Sequence, residues 1–64
     1  MQVFLVIVED GYLDFWPEFA YASLAEAVEA ADKVVCNRIE CLELGPKGLV
    51  AIYDPKGNLQ KSFE

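Results

Sequence analysis

The residues from Gln2 to Glu9 read QVFLVIVE, and every position from Val3 to Val8 is apolar. Val and Ile favour strands, and a strand without alternation of apolar and polar residues is typical of one buried on both faces. We therefore predict a central strand of a sheet at residues 2–9. The run from Leu49 to Tyr53 is apolar in the same way, and a further strand of this kind is predicted from Leu49 to Asp54.

A hairpin is predicted to follow the first strand. Asp10-Gly11 is a strong signal for a two-residue type I′ turn, because both central residues of that turn need a positive φ. Residues Tyr12 to Trp16 would form the returning strand. Pro17 has no N–H to donate to a strand ladder, so we expect the strand to end there or to lie at an edge of the sheet.

The region after the hairpin carries the signals of one amphipathic helix. Ser23 and Glu26 have the spacing of a capping box, in which the Ser23 hydroxyl accepts a hydrogen bond from the Glu26 backbone N–H and Glu26 reaches back. Glu29 and Lys33 form an i,i+4 pair in the favourable order. Asn37 is expected to end the helix in a left-handed conformation. The apolar stripe consists of Leu24, Ala27, Val28, Ala31 and Val35.

Three strands, separated by two turns, are predicted in the rest of the chain. Arg38 to Leu44 is a strand whose alternation slips, so either a bulge lies near Cys41 or both faces are partly buried. Residues 45–48 form a turn that leads into the apolar strand at Leu49. Residues 54–57 read DPKG, which suits a type I turn, and the last strand would run from Leu59 to Phe63.

The element order β-β-α-β-β-β predicts an α+β fold, with one antiparallel sheet of four to five strands and a single helix packed on one face. The chain is expected to form a single domain, residues 1–64. One helix cannot cover both faces of the sheet, although the strands at residues 3–8 and 49–53 are apolar on both. We therefore expect a homodimer that covers the second face. The alternative is a monomer in which Tyr12, Trp16 and Tyr53 shield that face.

The charge of the chain is distributed unevenly. The formal net charge is −6. Residues 1–32 contain seven acids and no Lys or Arg, which gives −7, whereas residues 33–64 contain five basic and four acidic residues, which gives +1. The negative net charge argues against direct binding of nucleic acid or of an anionic membrane surface. It favours a basic protein partner, or simple solubility.

No catalytic, cofactor or metal motif is present, so we expect neither an enzyme nor a bound cofactor. The chain has no His to serve as the base for a serine nucleophile, and Ser23 is better explained as a helix cap. Cys36 and Cys41 alone make a poor metal site, because structural zinc takes four Cys or His ligands. We expect both thiols to be reduced and buried in a cytoplasmic protein, with a disulfide between them as the alternative.

Membrane insertion and secretion are also not expected. No apolar run approaches the roughly 20 residues of a membrane-spanning helix. No positive residue precedes the apolar run at residues 3–8, as it would in a signal peptide.

The acids of the first half fall into two groups that could form a binding surface. One surrounds the hairpin, and the other, with a spacing of three residues, follows the helix. Tyr12 and Trp16 are candidate anchors beside the first group, because Tyr and Trp are enriched in interface hot spots. The alternatives are that the acids only keep the helix surface polar and that the aromatics only pack in the core. The hairpin acids are Glu9, Asp10, Asp14 and Glu18, and the helix acids are Glu26, Glu29 and Asp32.

In size, negative charge and lack of catalytic motif, the whole chain resembles the small acidic phage-encoded anti-CRISPR proteins. That resemblance implies an inhibitor in the cytoplasm of a bacterial host, which binds the basic, DNA-binding surface of a CRISPR–Cas complex, in some cases as a DNA mimic. The class shares no common fold, so the site residues named above come from the charge pattern alone. The alternatives are a small homodimeric structural or accessory domain and a regulatory subunit of a larger enzyme.

Overall fold

Five strands and one helix make up the part of the chain that the computed structural model describes, which is the backbone of residues 1–9 and 15–63 and the side chains of residues 1–8 and 20–63. The five strands form one antiparallel sheet in the order β2-β1-β3-β4-β5. This confirms the predicted α+β fold. The elements are β1 (Gln2–Glu9), β2 (Phe15–Tyr21), α1 (Leu24–Ala31), β3 (Cys36–Glu43), β4 (Gly48–Tyr53) and β5 (Leu59–Ser62).

Both apolar runs are interior strands, as the sequence predicts. β1 is paired with β2 on one side and with β3 on the other, and β4 lies between β3 and β5. The pair Val6 and Ile39 joins β1 to β3 at the centre of the sheet, and both side chains have an exposed fraction of 0%. An interior strand is hydrogen-bonded along both edges, but of its two faces only the one under α1 is covered by another element of the described residues. The apolar residues on the second face therefore lie on a surface that α1 does not cover.

The returning strand continues further along the sequence than predicted. β2 starts at Phe15, which pairs with Glu9, and it continues through Pro17 to Tyr21. The prediction that the strand spans Tyr12 to Trp16 was therefore wrong at its C-terminal end. The alternative that Pro17 lies at a sheet edge is confirmed, because an edge strand has one side without a ladder and tolerates the missing N–H there.

A bulge accompanies the proline. The register shifts by one residue where Val6 pairs with Phe19 but Ile7 pairs with Pro17, so Glu18 is the extra residue of β2. Bulges are common at sheet edges, where they interrupt the regular ladder. The predicted Asp10-Gly11 turn lies outside the described residues.

The helix begins as predicted and ends earlier. Ser23 is the N-cap, and its Oγ accepts a hydrogen bond from the Glu26 backbone N–H at 3.2 Å. The last helical residue is Ala31, so the predicted extension of the apolar stripe to Val35 was wrong; Val35 is 71% exposed. The β-branched Val34-Val35 pair disfavours the helix, and β3 already begins with Cys36 paired to Val8.

The predicted left-handed helix end at Asn37 was also wrong. Asn37 lies within β3, as the extra residue where the β1–β3 register shifts. Within residues 1–9 and 15–63, positive φ angles occur only at Gly45, Gly48 and Gly57. The chain leaves the helix through a tight turn instead, in which the Lys33 N–H donates to the Ala30 carbonyl at 3.1 Å.

The bulge predicted near Cys41 is present, although its extra residue is on the neighbouring strand. Cys41 pairs with Ala51 and Leu42 pairs with Leu49, so Val50 is the inserted residue of β4. Val50 and Ala51 are consecutive yet both buried, with exposed fractions of 4% and 8%. A bulge allows two neighbouring residues to reach the same core, which a regular alternating strand does not.

The core lies between α1 and one face of the sheet. At the end of the helix layer, Val28 contacts the β4–β5 turn so closely that a Cβ atom on Gly57 would lie 2.9 Å from Val28 Cγ2. The rings of Phe4 and Tyr53 pack with centroids 6.2 Å apart. The buried residues of this cluster are Phe4, Val6, Ala27, Ala31, Ile39, Cys41, Val50 and Ala51.

Candidate interaction surfaces

The strand register divides the sheet into two faces with different chemistry. Residues directly opposite each other in an antiparallel pair place their side chains on the same face. Phe4 and Val6 of β1, with Cys41 and Ile39 of β3, form the face under α1, which we call the helix face. The other face, which we call the open face, has no helix of the described residues packed on it. Its described residues include Val3, Leu5, Ile7, Ala20, Arg38, Glu40, Leu42, Leu49, Ile52 and Lys61.

The open face is aliphatic over most of its area. Ile7 is only 4% exposed, and it pairs with Pro17 of β2 on one side and with Arg38 of β3 on the other. Leu5 and Leu42 are half-buried, and Leu49 is 36% exposed near the end of β4. The sequence signal for this face was the lack of alternation in the two interior strands.

A charge pair lies at the centre of the open face. Arg38 Nε is 2.7 Å from Glu40 Oε2, and Arg38 Nη1 donates to Asn37 Oδ1 at 2.8 Å. The side chains are partly shielded, with exposed fractions of 35% for Arg38 and 20% for Glu40. Sequence reasoning missed this pair, although residues two apart on one strand always share a face and their i,i+2 spacing could have revealed it.

The three helix acids are all exposed, and they lie on the layer of the molecule farthest from the open face. Glu26 has a local structural role, because the Ser23 hydroxyl donates to its Oε1 at 3.0 Å in addition to accepting from its backbone N–H. Glu29 and Asp32 are exposed to solvent. Lys33 lies beyond the end of the helix, so the predicted helical i,i+4 geometry with Glu29 does not form.

Asp32 has a position that helix energetics disfavours. It is the C-cap residue, and its backbone N–H donates to the Val28 carbonyl at 3.1 Å. The C-terminal end of a helix carries a partial negative charge, so an acid there costs about 0.3–1 kcal/mol relative to a base. The last turn of α1 contains no basic residue. Stabilisation of the helix therefore explains why an acid occupies position 26 as Glu26, but it does not explain the acid Asp32.

Two of the helix acids line a pocket of about 400 Å³. Glu26 and Glu29 lie on one side, and Tyr21 from the end of β2 contributes an aromatic side chain. Lys33 and Val34, from the turn after the helix, also line it. The sequence did not indicate Tyr21 as part of this surface, because its position beside the two acids depends on how α1 packs against β2.

The hairpin group is only partly described. Asp10, Tyr12 and Asp14 lie outside the described residues. The backbone places the other members in the first two strands: Glu9 ends β1, Trp16 pairs with Val8, and Glu18 is the extra residue of the bulge. Their side chains are not described, so the hairpin surface stays a prediction.

The two cysteines are free thiols on β3. Four residues of strand lie between them, so five steps of about 3.3 Å place their Cα atoms about 16 Å apart, too far for a disulfide, which needs Cα atoms within about 7 Å. Burial raises the pKa of the Cys36 thiol, and it outweighs the opposing effects of the backbone of Arg38 and Ile7 and of the Arg38 charge. A raised pKa disfavours the thiolate, which is the nucleophilic form.

Asp54 is an acid with a structural role. Its Oδ1 accepts hydrogen bonds from the backbone N–H groups of Asn58 at 2.8 Å and of Lys56 at 2.9 Å. These bonds, led by that from Asn58, lower the pKa of the carboxyl. The Gly57 N–H donates to the Asp54 carbonyl at 2.9 Å, the i,i+3 bond expected of the predicted DPKG turn.

No protein-family model, curated protein or solved structure matches the chain. Within the described ranges, no helix is long and apolar enough to span a bilayer. The same ranges contain no cluster of three or more acids and thiols that could hold a metal ion.

Proposed function

We propose that the protein is a non-enzymatic interaction protein that presents the outer side of α1 to a basic protein surface. In its most specific form, the partner is a DNA-binding surface of a CRISPR–Cas complex, and the protein is an inhibitor that occupies this surface in place of DNA. The face around Glu26, Glu29 and Asp32 carries the contacts, with the hairpin acids at residues 9–18 as a second group.

The observation that carries this proposal is the placement of exposed acids where they do not stabilise the fold. Asp32 opposes the helix dipole, and Glu29 lies in the C-terminal half of a short helix that has no basic residue in its last turn. Residues that cost folding free energy at an exposed position are often retained for binding. Solubility alone would be served equally well by acids placed at neutral positions.

The spacing of the carboxylates supports a phosphate-like role. Glu26, Glu29 and Asp32 are three residues apart, which is about 4.5 Å of axial rise per charge. One strand of duplex DNA carries a phosphate about every 3.4 Å along its axis. The two charge densities are similar enough for Lys and Arg side chains spaced for phosphates to reach these carboxylates.

The partner chemistry follows from the same geometry. An Arg or Lys of the partner that reaches the pocket would meet the carboxylates of Glu26 and Glu29 and the ring of Tyr21, with Lys33 as the one cation among the lining residues. Charge-assisted hydrogen bonds and cation–π contact both favour a cation there. Binding of this kind is steered electrostatically and weakens as the salt concentration rises.

The test is competition with DNA. Purified CRISPR–Cas interference complexes are incubated with labelled target duplex and increasing amounts of the protein, and bound DNA is measured by gel shift. The proposal expects displacement of DNA that weakens with salt. The triple variant E26Q/E29Q/D32N should displace DNA at least about 10-fold less effectively, because it lacks the three carboxylates that contact the partner. The variant should still fold, because Gln at residue 26 preserves the capping box.

A matched control distinguishes the effect of where the removed carboxylates lie from the effect of the lower net charge. The triple variant D10N/D14N/E18Q has the same net charge of −3 as the helix variant, because each removes three charges from −6. A larger loss with the helix variant assigns the main contact to α1, whereas a larger loss with the control assigns it to the hairpin. Displacement that neither variant changes, or that no complex shows, contradicts the proposal.

A further inference from the structure

We propose that the open face is the interface with a second copy of this chain, stacked face to face about a two-fold axis. This inference is independent of the proposed partner binding, because α1 and its acids lie on the other side of the sheet. It gives a role to the face of the sheet that α1 does not cover.

The first argument is charge depletion. The chain carries −6 overall, yet the described side chains of the open face include only Arg38, Glu40 and Lys61 as charged groups, which sum to +1. Interface cores are depleted of charged residues relative to the rest of a protein surface. Two copies can therefore approach through this face without the repulsion that their helix layers would produce.

The second argument is self-complementarity. Arg38 and Glu40 form a pair of opposite charges on β3, the central strand of the sheet. In a two-fold interface the same patch faces itself, so the Arg38 of one copy can lie near the Glu40 of the other. Because each charge already has a partner within its own chain, burial leaves no unpaired charge, which is the condition that makes a buried pair tolerable.

The third argument is area. The two longer dimensions of the molecule are 31 and 24 Å, so a face that spans both has an area of at most about 740 Å². Stable interfaces bury about 800 Å² per partner. Only an occupant that covers nearly the whole open face reaches this size, and a second copy offers a face of the same outline and the same aliphatic composition.

The sheet edges are protected against the competing mode of association. On one edge, β2 carries Pro17 and the bulge at Glu18. On the other, β5 has only four residues and carries Lys61. Proline, bulges, short strands and lysine all discourage edge-to-edge pairing, so association is directed to the face.

The test is the mass in solution, measured by sedimentation equilibrium from micromolar to millimolar concentration. The wild-type protein should reach twice 7.2 kDa, about 14.4 kDa. Leu5→Lys places a charge at the middle of β1 on the open face and should raise the dimer dissociation constant about 100-fold or more. Leu59→Lys is the matched control, because Leu59 is 57% exposed but pairs with Tyr53 on the helix face, and it should leave the dimer unchanged.

A second variant keeps the test decisive if Leu5→Lys fails to fold, as judged by circular dichroism. Leu49 is 36% exposed near the end of β4, so Leu49→Lys is tolerated by the monomer but still lies on the open face. Its dimer should also weaken. A wild-type mass of 7.2 kDa throughout, or a dimer that the open-face variants leave intact, overturns the proposal.

Discussion

The two faces of this sheet are built from the same strands, yet they differ in what covers them. On the helix face, Val6 and Ile39 pair directly and are completely buried beneath α1. On the open face, Leu5 lies opposite Glu40 and remains half-buried. The difference shows that the single helix of a small chain can cover one face of its sheet, while the same strands leave an apolar surface on the other face that the helix does not cover.

The largest expected effect comes from truncation on the helix face. Ile39→Ala leaves a cavity in a fully buried site and should lower the free energy of unfolding by about 3 kcal/mol. A domain of this size is only marginally stable, so much of the variant should be unfolded at room temperature. Urea denaturation at low micromolar concentration, followed by circular dichroism, measures the effect.

The matched change on the open face is Leu42→Ala. In the dilute monomer Leu42 is only half-buried, so the same measurement should give about 1 kcal/mol. Equal losses for the two variants would contradict the assignment of the core to the helix face.

The next effect concerns the turn that supports the helix layer. Gly57 has a φ of +92°, and a Cβ atom there would lie 2.9 Å from Val28 Cγ2. Gly57→Ala should therefore cost about 2–3 kcal/mol, from backbone strain together with the clash. Thermal unfolding measures the loss.

Gly45 provides the control for backbone strain alone. Its φ is +124°, but nothing lies within 4 Å of a Cβ placed there. Gly45→Ala should cost about 1 kcal/mol less than Gly57→Ala. If the two glycines respond alike, Val28 does not pack against the β4–β5 turn as described.

A smaller effect, of opposite sign, is expected on the outer side of the helix. Asp32→Lys replaces an acid by a base at the C-terminal end of α1 and should stabilise the fold by about 0.5 kcal/mol at low salt. The gain should decrease as salt is added. Destabilisation of the chain by this change would remove the argument that Asp32 is retained at a cost to folding.

The smallest expected effect is a pH dependence of the free energy of unfolding that arises from Asp54 in the β4–β5 turn. The pKa of Asp54 is lowered by hydrogen bonds from Asn58 and Lys56, so its contribution to stability is present above the unfolded value of about 3.9 and is lost as the pH falls through the lower folded value. Asp54→Asn removes this titration. The stability difference between wild type and variant, measured by urea denaturation, should therefore narrow below about pH 4; a constant difference would contradict this role.

The element types and the sheet could be predicted from the sequence because their signals are local. The unbroken apolar runs identified β1 and β4 as interior strands, and the Ser23 cap and the DPKG turn were placed correctly. The slipped alternation around Cys41 predicted a bulge, although not that the inserted residue is Val50 of the adjacent strand.

The element boundaries depended on tertiary pairing and were predicted less well. The helix pattern continued to Val35, but the register of β3 against β1 requires the strand to begin at Cys36. The end of β2 was misjudged at Pro17, because proline is tolerated wherever its missing N–H falls on the outer side of an edge strand. The roles of Arg38 and Glu40 depend on which face of the sheet the helix covers, and local patterns do not determine that choice.

Small-angle X-ray scattering tests the division into a covered and an open face most directly. The radius of gyration of the single chain is 11.0 Å. Two copies stacked through their open faces, with sheets about 10 Å apart, should give about 13–14 Å together with a doubled mass, whereas edge-to-edge pairing would give about 16 Å. A doubled mass with a radius of about 13–14 Å is the predicted result. A mass of 7.2 kDa with a radius near 11 Å, or the longer edge-paired particle, would contradict it.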